Sequence, residues 1–165
     1  MGLMKRRSLI AAGLVVLAIL GFSFLWPTDE GRIRKLFKEG AAAMEAKNLE
    51  GVMAKVSYRY TDDYGMTYLY LKEMLKREFG ALSDIKVEYD AVRIKVSNNS
   101  AVAEVDVRVI ATSGKETGYI IGDIREPLRL RFTLEKERMK WLIVKREGKH
   151  GHGYLAEREL QPAPY

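Results

Sequence analysis

No cysteine occurs among the 165 residues. That excludes disulfides, thiolate metal sites, a cysteine nucleophile and a lipid-bearing cysteine. Histidine appears twice, as His150 and His152 in the run GKHGHG. The sequence places no carboxylate or third histidine beside them, so they read as part of a loose tail rather than a metal site. No glycine-rich turn opens a helix after a strand, and no serine or threonine sits in a nucleophile elbow. No cofactor is implied. A basic block long enough to track phosphates is missing too. The formal charge is +6, but Lys5, Arg6 and Arg7 carry half of it. In the remainder acids and bases alternate, which describes a solvated surface and argues against nucleic acid as a partner.

One long segment carries no charge at all. The 21 residues Ser8–Thr28 (SLIAAGLVVLAILGFSFLWPT) are apolar enough and long enough to cross a hydrocarbon core of about 30 Å as one helix. The basic triplet precedes the run and Trp26 stands at its far end, where an interfacial aromatic belongs. The positive-inside rule then puts residues 1–7 in the cytoplasm and the rest in the extracytoplasmic or periplasmic space. A cleaved signal peptide is the rival reading. Its best site, Gly21-Phe22-Ser23, is followed by bulky Phe24, Leu25 and Trp26, which suits cleavage poorly. The expectation is a single-pass inner-membrane protein with a signal-anchor helix at 8–28, a domain at 29–147 and a flexible tail at 148–165.

The domain opens with helical spacing. Thr28 is placed to cap a helix whose first turn holds Asp29 and Glu30. Ile33, Leu36, Phe37, Gly40, Ala43 and Met44 follow on one side. Asn48 caps a short second helix with Leu49, Val52, Met53 and Val56. A third helix is expected from about Gly65 to Ala81, with Tyr68, Leu71, Leu75 and Phe79 on one face. After residue 83 the period changes to two. Ile85, Val87, Tyr89 and Ala91 alternate, then Val92, Ile94 and Val96 take over on the other parity, which implies a bulge. Residues 97–100 turn the chain into Ala101–Val109. Residues 113–118 turn it again. Leu128–Glu135 and Trp141–Val144 are strands joined by a turn at 136–139. Helices followed by antiparallel strands make an α+β domain, with helices on one sheet face. Arg93, Lys95, Glu104, Asp106, Arg108, Arg129 and Arg131 fall on the other face, where opposite charges pair across strands.

Between the second and third helices lies YRYTDDYGMTYLY, residues 58–70. Tyr58 and Tyr60 suit a short strand with both rings on one face. Tyr68 is in register with the core stripe, while Tyr64 and Tyr70 lie off it. Asp62 and Asp63 are placed to cap or charge the start of the third helix.

Taken together, AMEAKNLEGVMAKVS, TDDYG, AVAEVDVRV and PLRLRFTLEKERMKWLI resemble the nuclear transport factor 2-like superfamily, over roughly residues 29–147. The resemblance implies a cystatin-like cone: three helices wrapped by a curved antiparallel sheet. The family holds isomerases, dehydratases and cyclases beside non-catalytic binding domains, so fold alone does not give function. Its isomerase-like members share a carboxylate base before the third helix, a tyrosine on the first, and often an acid on a late strand. Here Asp62 or Asp63 falls at the base position. The tyrosine position falls near Gly40, and the late acid near Leu128 or Leu130, so two of the three roles are empty.

The function expected is therefore a membrane-anchored binding or accessory domain without catalysis. It would hold a small apolar ligand among Phe37, Met44, Tyr58, Tyr68 and Phe132, or a protein of the cell envelope. Tethering raises the effective concentration near membrane partners. The alternative is an acid–base enzyme of the isomerase, dehydratase or cyclase type, using Asp62 or Asp63 with Tyr60 or Tyr64.

Overall fold

The structure, a computed structural model, describes residues 28–148. The expected anchor at 8–28 lies outside these residues, apart from Thr28, as do His150, His152 and the rest of the tail. Among the described residues no helix is long and apolar enough to cross a membrane.

Helix α1, Asp29–Glu45, starts where its cap predicts: Thr28 Oγ1 accepts from Gly31 N–H at 3.1 Å. Asn48 repeats the device for α2, Leu49–Met53, accepting from Gly51 N–H at 2.9 Å. Strand β1, Val56–Asp62, leads to α3, Tyr68–Ala81. Five further strands follow: β2, Leu82–Ser97; β3, Ser100–Ser113; β4, Glu116–Ile121; β5, Leu128–Glu137; and β6, Lys140–Glu147. The β5–β6 turn uses Arg138 and Met139, both with positive φ (46° and 71°), a backbone hand that matches strand twist in a two-residue hairpin.

The strands run β1-β6-β5-β3-β2 across the sheet, with β4 also beside β3. The curved sheet is mixed rather than antiparallel, because β1 pairs with β6 in parallel. Two consecutive hairpins would have kept the sheet antiparallel. Instead β1 enters from the helical half and adds to the free side of the last strand. Residues 113–118 are not simply a turn. Only Gly114-Lys115 reverse the chain, and Glu116–Ile121 pair back on β3. The long β3 thus holds two partners in tandem, β5 against its first half and β4 against its second. Gly122 carries the chain from one to the other. Its φ is +69°, and a Cβ there would meet Val107 O at 3.0 Å, so glycine is required.

The parity switch in β2 is a register shift between Asp90 and Arg93, the bulge its alternation implies. β2 begins three residues earlier than its first periodic residue, at Leu82. On the outer face Arg129 holds Asp106 through two nitrogens at 2.7 and 3.1 Å, and Arg93 meets Glu104 at 3.4 Å.

The inner face carries the helices through three apolar clusters. Ile33 and Leu36 of α1 pack on Ala101, Ala103, Leu134 and Trp141. Met53, Val56, Tyr60, Tyr68 and Leu75 join α2, β1 and α3. Phe79 joins Leu82, Ile85, Val109 and Ala111. Asp29 fastens α1 to the β5–β6 end: its carboxylate accepts from Lys136 Nζ at 2.9 Å and Trp141 Nε1 at 3.0 Å.

Candidate functional site

The segment 58–70 does not form as its local pattern suggests. Tyr58 is 83% exposed while Tyr60 is buried, so the two rings do not share a face. The register of β1 shifts between Val56 and Thr61, and that irregularity breaks the alternation. Tyr58 leans its ring on Tyr68, centroids 4.5 Å apart, and Tyr68 is buried as its stripe predicts. Tyr64 and Tyr70 are exposed.

Neither aspartate caps α3. That helix begins at Tyr68, not Gly65, and its N-cap Thr67 makes no side-chain capping bond. Residues 62–66, ahead of the N-cap, form a closed turn built by Asp62. Its backbone N–H donates to Met66 O at 3.2 Å and its carbonyl accepts from Gly65 N–H at 3.1 Å. Its Oδ1 accepts from Tyr64 N–H at 2.8 Å and Met66 N–H at 2.9 Å. This is the local side-chain-to-backbone bonding that aspartate offers in turns. Oδ2 takes Arg146 Nη2 from β6 at 3.3 Å, and only 1% of the Asp62 side chain is exposed. The parallel register sets Asp62 directly beside Arg146. A buried carboxylate needs such partners.

Asp63, one residue on, points the other way and pairs with Lys145 Nζ at 3.0 Å on the half-exposed side. Tyr60 shares the neighbourhood. Burial pushes its hydroxyl up to about 12, with Arg146 opposing and Asp62 and Asp63 reinforcing that shift, so it stays protonated at neutral pH. Asp62, Asp63, Tyr60 and the Tyr64 backbone are thus brought together, and Arg146 joins them unforeseen. Its signal was the alternation of β6, but nothing local told which strand β6 would meet.

Gly40 on α1 faces open space, since a Cβ there would meet nothing within 4 Å. Leu130 is buried and Leu128 half-buried. The pocket candidates divide. Phe37 and Phe132 lie ring to ring, centroids 5.3 Å apart, against the α1 cluster. Met44 packs against the other two clusters, and Tyr58 is at the surface. Among the described residues no group of three His, Asp or Glu side chains is placed to hold a metal ion.

A groove of about 720 Å³ lies elsewhere, between α1 and β2, lined by Arg34, Lys35, Lys38, Glu39, Ala42, Tyr89 and Val92. The β2 bulge shapes it. Arg34 Nη1 donates to the Val92 carbonyl at 3.0 Å beside that bulge. Glu39 pairs with Lys55 and with Lys35 at 3.7 Å, and the Lys55 hydrogen bond holds its carboxyl below the usual range.

No family model matches this chain, and no curated protein does. Solved structures do match. A nuclear transport factor 2-like protein with a cystatin-like fold from Novosphingobium aromaticivorans is 16% identical, covers 93% of this chain and 96% of its own, and superposes with a TM-score of 0.59. A candidate scytalone dehydratase from the same organism is 17% identical, covers 72% of this chain and 81% of its own, with a TM-score of 0.62. A protein from Kribbella flavida is 14% identical, covers 78% and 95%, with a TM-score of 0.64. At such identities the likeness defines the fold. The chain has an α+β fold with a curved mixed sheet, and its structural neighbours are proteins of cystatin-like, nuclear transport factor 2-like fold.

Proposed function

We propose that the protein is a membrane-tethered, extracytoplasmic binding module that docks a protein of the cell envelope through the aromatic end formed by β1 and α3, and that it does so without acid–base catalysis. One observation carries the reading: each oxygen of Asp62 is already engaged, Oδ1 by two backbone N–H groups and Oδ2 by Arg146. A general base must offer a lone pair to a substrate proton. Asp62 accepts from two turn amides and from Arg146 with only 1% of its side chain exposed, and Asp63 is paired with Lys145 outside the turn. The interior residues pack on one another, whereas Tyr58, Tyr64, Leu69 and Tyr70 are exposed together in one short stretch. Large amphipathic rings in such a stretch favour protein contact. Tethering by the uncharged run at 8–28 would raise the encounter rate with membrane partners.

The test places a photo-crosslinking residue at Tyr58 or Tyr70 of the full chain in its own cells, with Met139, exposed at the β5–β6 turn, as control. A discrete membrane-associated protein adduct from the tyrosine positions, absent at Met139, is the expected result. The same adduct from all positions, or none, rejects the docking surface. The rival acid–base reading requires Asp62→Asn to abolish a turnover while the fold persists.

A further inference from the structure

Lys38 on α1 has neither hydrogen bond nor ion pair among the described residues, and it borders the groove against β2. Arg34 and Lys35 stand on the same rim, four and three positions before Lys38 and so about one helical turn away. Arg34 pairs with Glu30 at 3.9 Å, and Lys35 shares Glu39, the one acid among the groove's lining residues, with Lys55, so three cations of the lining face one carboxylate and the rim keeps a net positive charge. The floor is of another kind: Ala42, the half-buried ring of Tyr89, and Val92. A cationic rim over an apolar floor suits an amphiphile with a negative head. Its place along α1 matters as well. Lys35 follows Thr28 by seven positions, hence about 10 Å of helix beyond the end of the uncharged run. That is close to one Debye length from a surface at physiological salt, roughly 8 Å.

We propose that the α1–β2 groove seats the headgroup of an anionic phospholipid from the membrane that carries the anchor, with Lys38 and Lys35 on the phosphate and Tyr89 and Val92 against the start of the lipid chains. The inference rests on the anchored reading of residues 8–28. It adds an orientation to it: α1 lies at the membrane surface and the aromatic β1–α3 end is free for a partner. An acidic protein would satisfy the rim charges but would not need an apolar floor this close to the bilayer.

The full chain is reconstituted into phosphatidylcholine vesicles with or without phosphatidylglycerol and treated with a water-soluble acetylating reagent. Labelling is read by mass spectrometry at Lys38, with Lys140, exposed at the β5–β6 turn, as reference. Anionic lipid should slow Lys38 labelling about five-fold and leave Lys140 unchanged. Ala42→Glu puts a negative side chain over the floor at an exposed helix position and should restore labelling in anionic vesicles. Equal labelling in both vesicles overturns the proposal. So does protection that survives Ala42→Glu, which is surface attraction only, or protection by inorganic phosphate with neutral lipid. Protection seen only in native membranes assigns the groove to a protein and overturns it too. Flotation with neutral vesicles reads the anchor separately. If flotation fails, the same labelling with the free chain and added anionic vesicles still reads the groove.

Discussion

At the β1–α3 turn the carboxylate of Asp62 has a donor on each oxygen, whereas on the rim of the α1–β2 groove Lys38 has no partner among the described residues. Both places are polar, and both hold charge beside apolar surface. The first looked like chemistry in the sequence because aspartate and tyrosine cluster there. Its interactions close on themselves, and what they produce is a fixed turn at the end of the sheet. The second drew no notice, being ordinary helix-surface lysines and an arginine. Its pairs are loose and exposed, and Lys38 is left over. In this domain a polar cluster that answers its own charges is structural, and the place to look for a ligand is where the charges are left over.

The largest expected effect is at Asp62. Asp62→Ala removes the acceptor of two backbone N–H groups and leaves Arg146 partly buried without its carboxylate, at a cost of about 2–4 kcal/mol in urea denaturation. Asp62→Asn keeps an oxygen for the two amides and should cost about half as much. A loss below about 1 kcal/mol for the alanine variant would break the comparison, since the carboxylate would then not be holding the turn.

Next comes the acid limb of stability. The Lys136 hydrogen bond, then that of Trp141, holds the Asp29 carboxyl below its ordinary value; Arg129 does the same for Asp106. A carboxylate lowered on folding contributes stability above its unfolded value, and that stability is lost as pH falls through the folded one. The melting temperature should therefore drop below about pH 4, and Asp29→Asn should make the drop shallower while lowering the neutral-pH plateau. An unchanged slope would show that Asp29 does not secure α1 to the sheet.

Smaller and opposite in sign is Gly40→Ala. A methyl group there meets nothing within 4 Å, so the gain in helix propensity, about 1 kcal/mol, should appear undiminished in the denaturation midpoint. The smallest effect is at Asp63→Ala, which breaks only a half-exposed pair with Lys145 and should leave the midpoint where it is. Adjacent aspartates with unequal outcomes would sharpen the contrast between an answered charge and a solvated one.

What the sequence disclosed was local. Thr28 and Asn48 cap as read because a cap needs only its own next three residues. The change of parity before Val92 foretold the β2 bulge, and Tyr68 fell in its stripe with Leu75 and Phe79. Most failures are pairings at a distance; the local one is the approach to α3, where Asp62 closes a turn instead of capping the helix. β4 was missed because ETGYII carries little alternation and depends on β3 for its identity. The parallel contact of β1 with β6 has no local mark, and with it Arg146 was lost as the partner of Asp62. The groove was hidden for the same reason. Arg34, Lys35, Lys38 and Ala42 share one side of α1, but only the fold brings Tyr89 and Val92 to face them.

That parallel contact also sets the order in which the molecule is completed. Arg146 and Asp62 are 84 positions apart, and β6 is the last strand of the described domain to leave the ribosome. Until it arrives, β1 has no neighbour in the sheet and the turn ahead of α3 lacks its guanidinium. Contacts of such long sequence separation slow folding. A chain made from its N-terminus is therefore almost whole before it can complete this sheet, and the helical half waits, unsealed, for the final eight residues of the sheet.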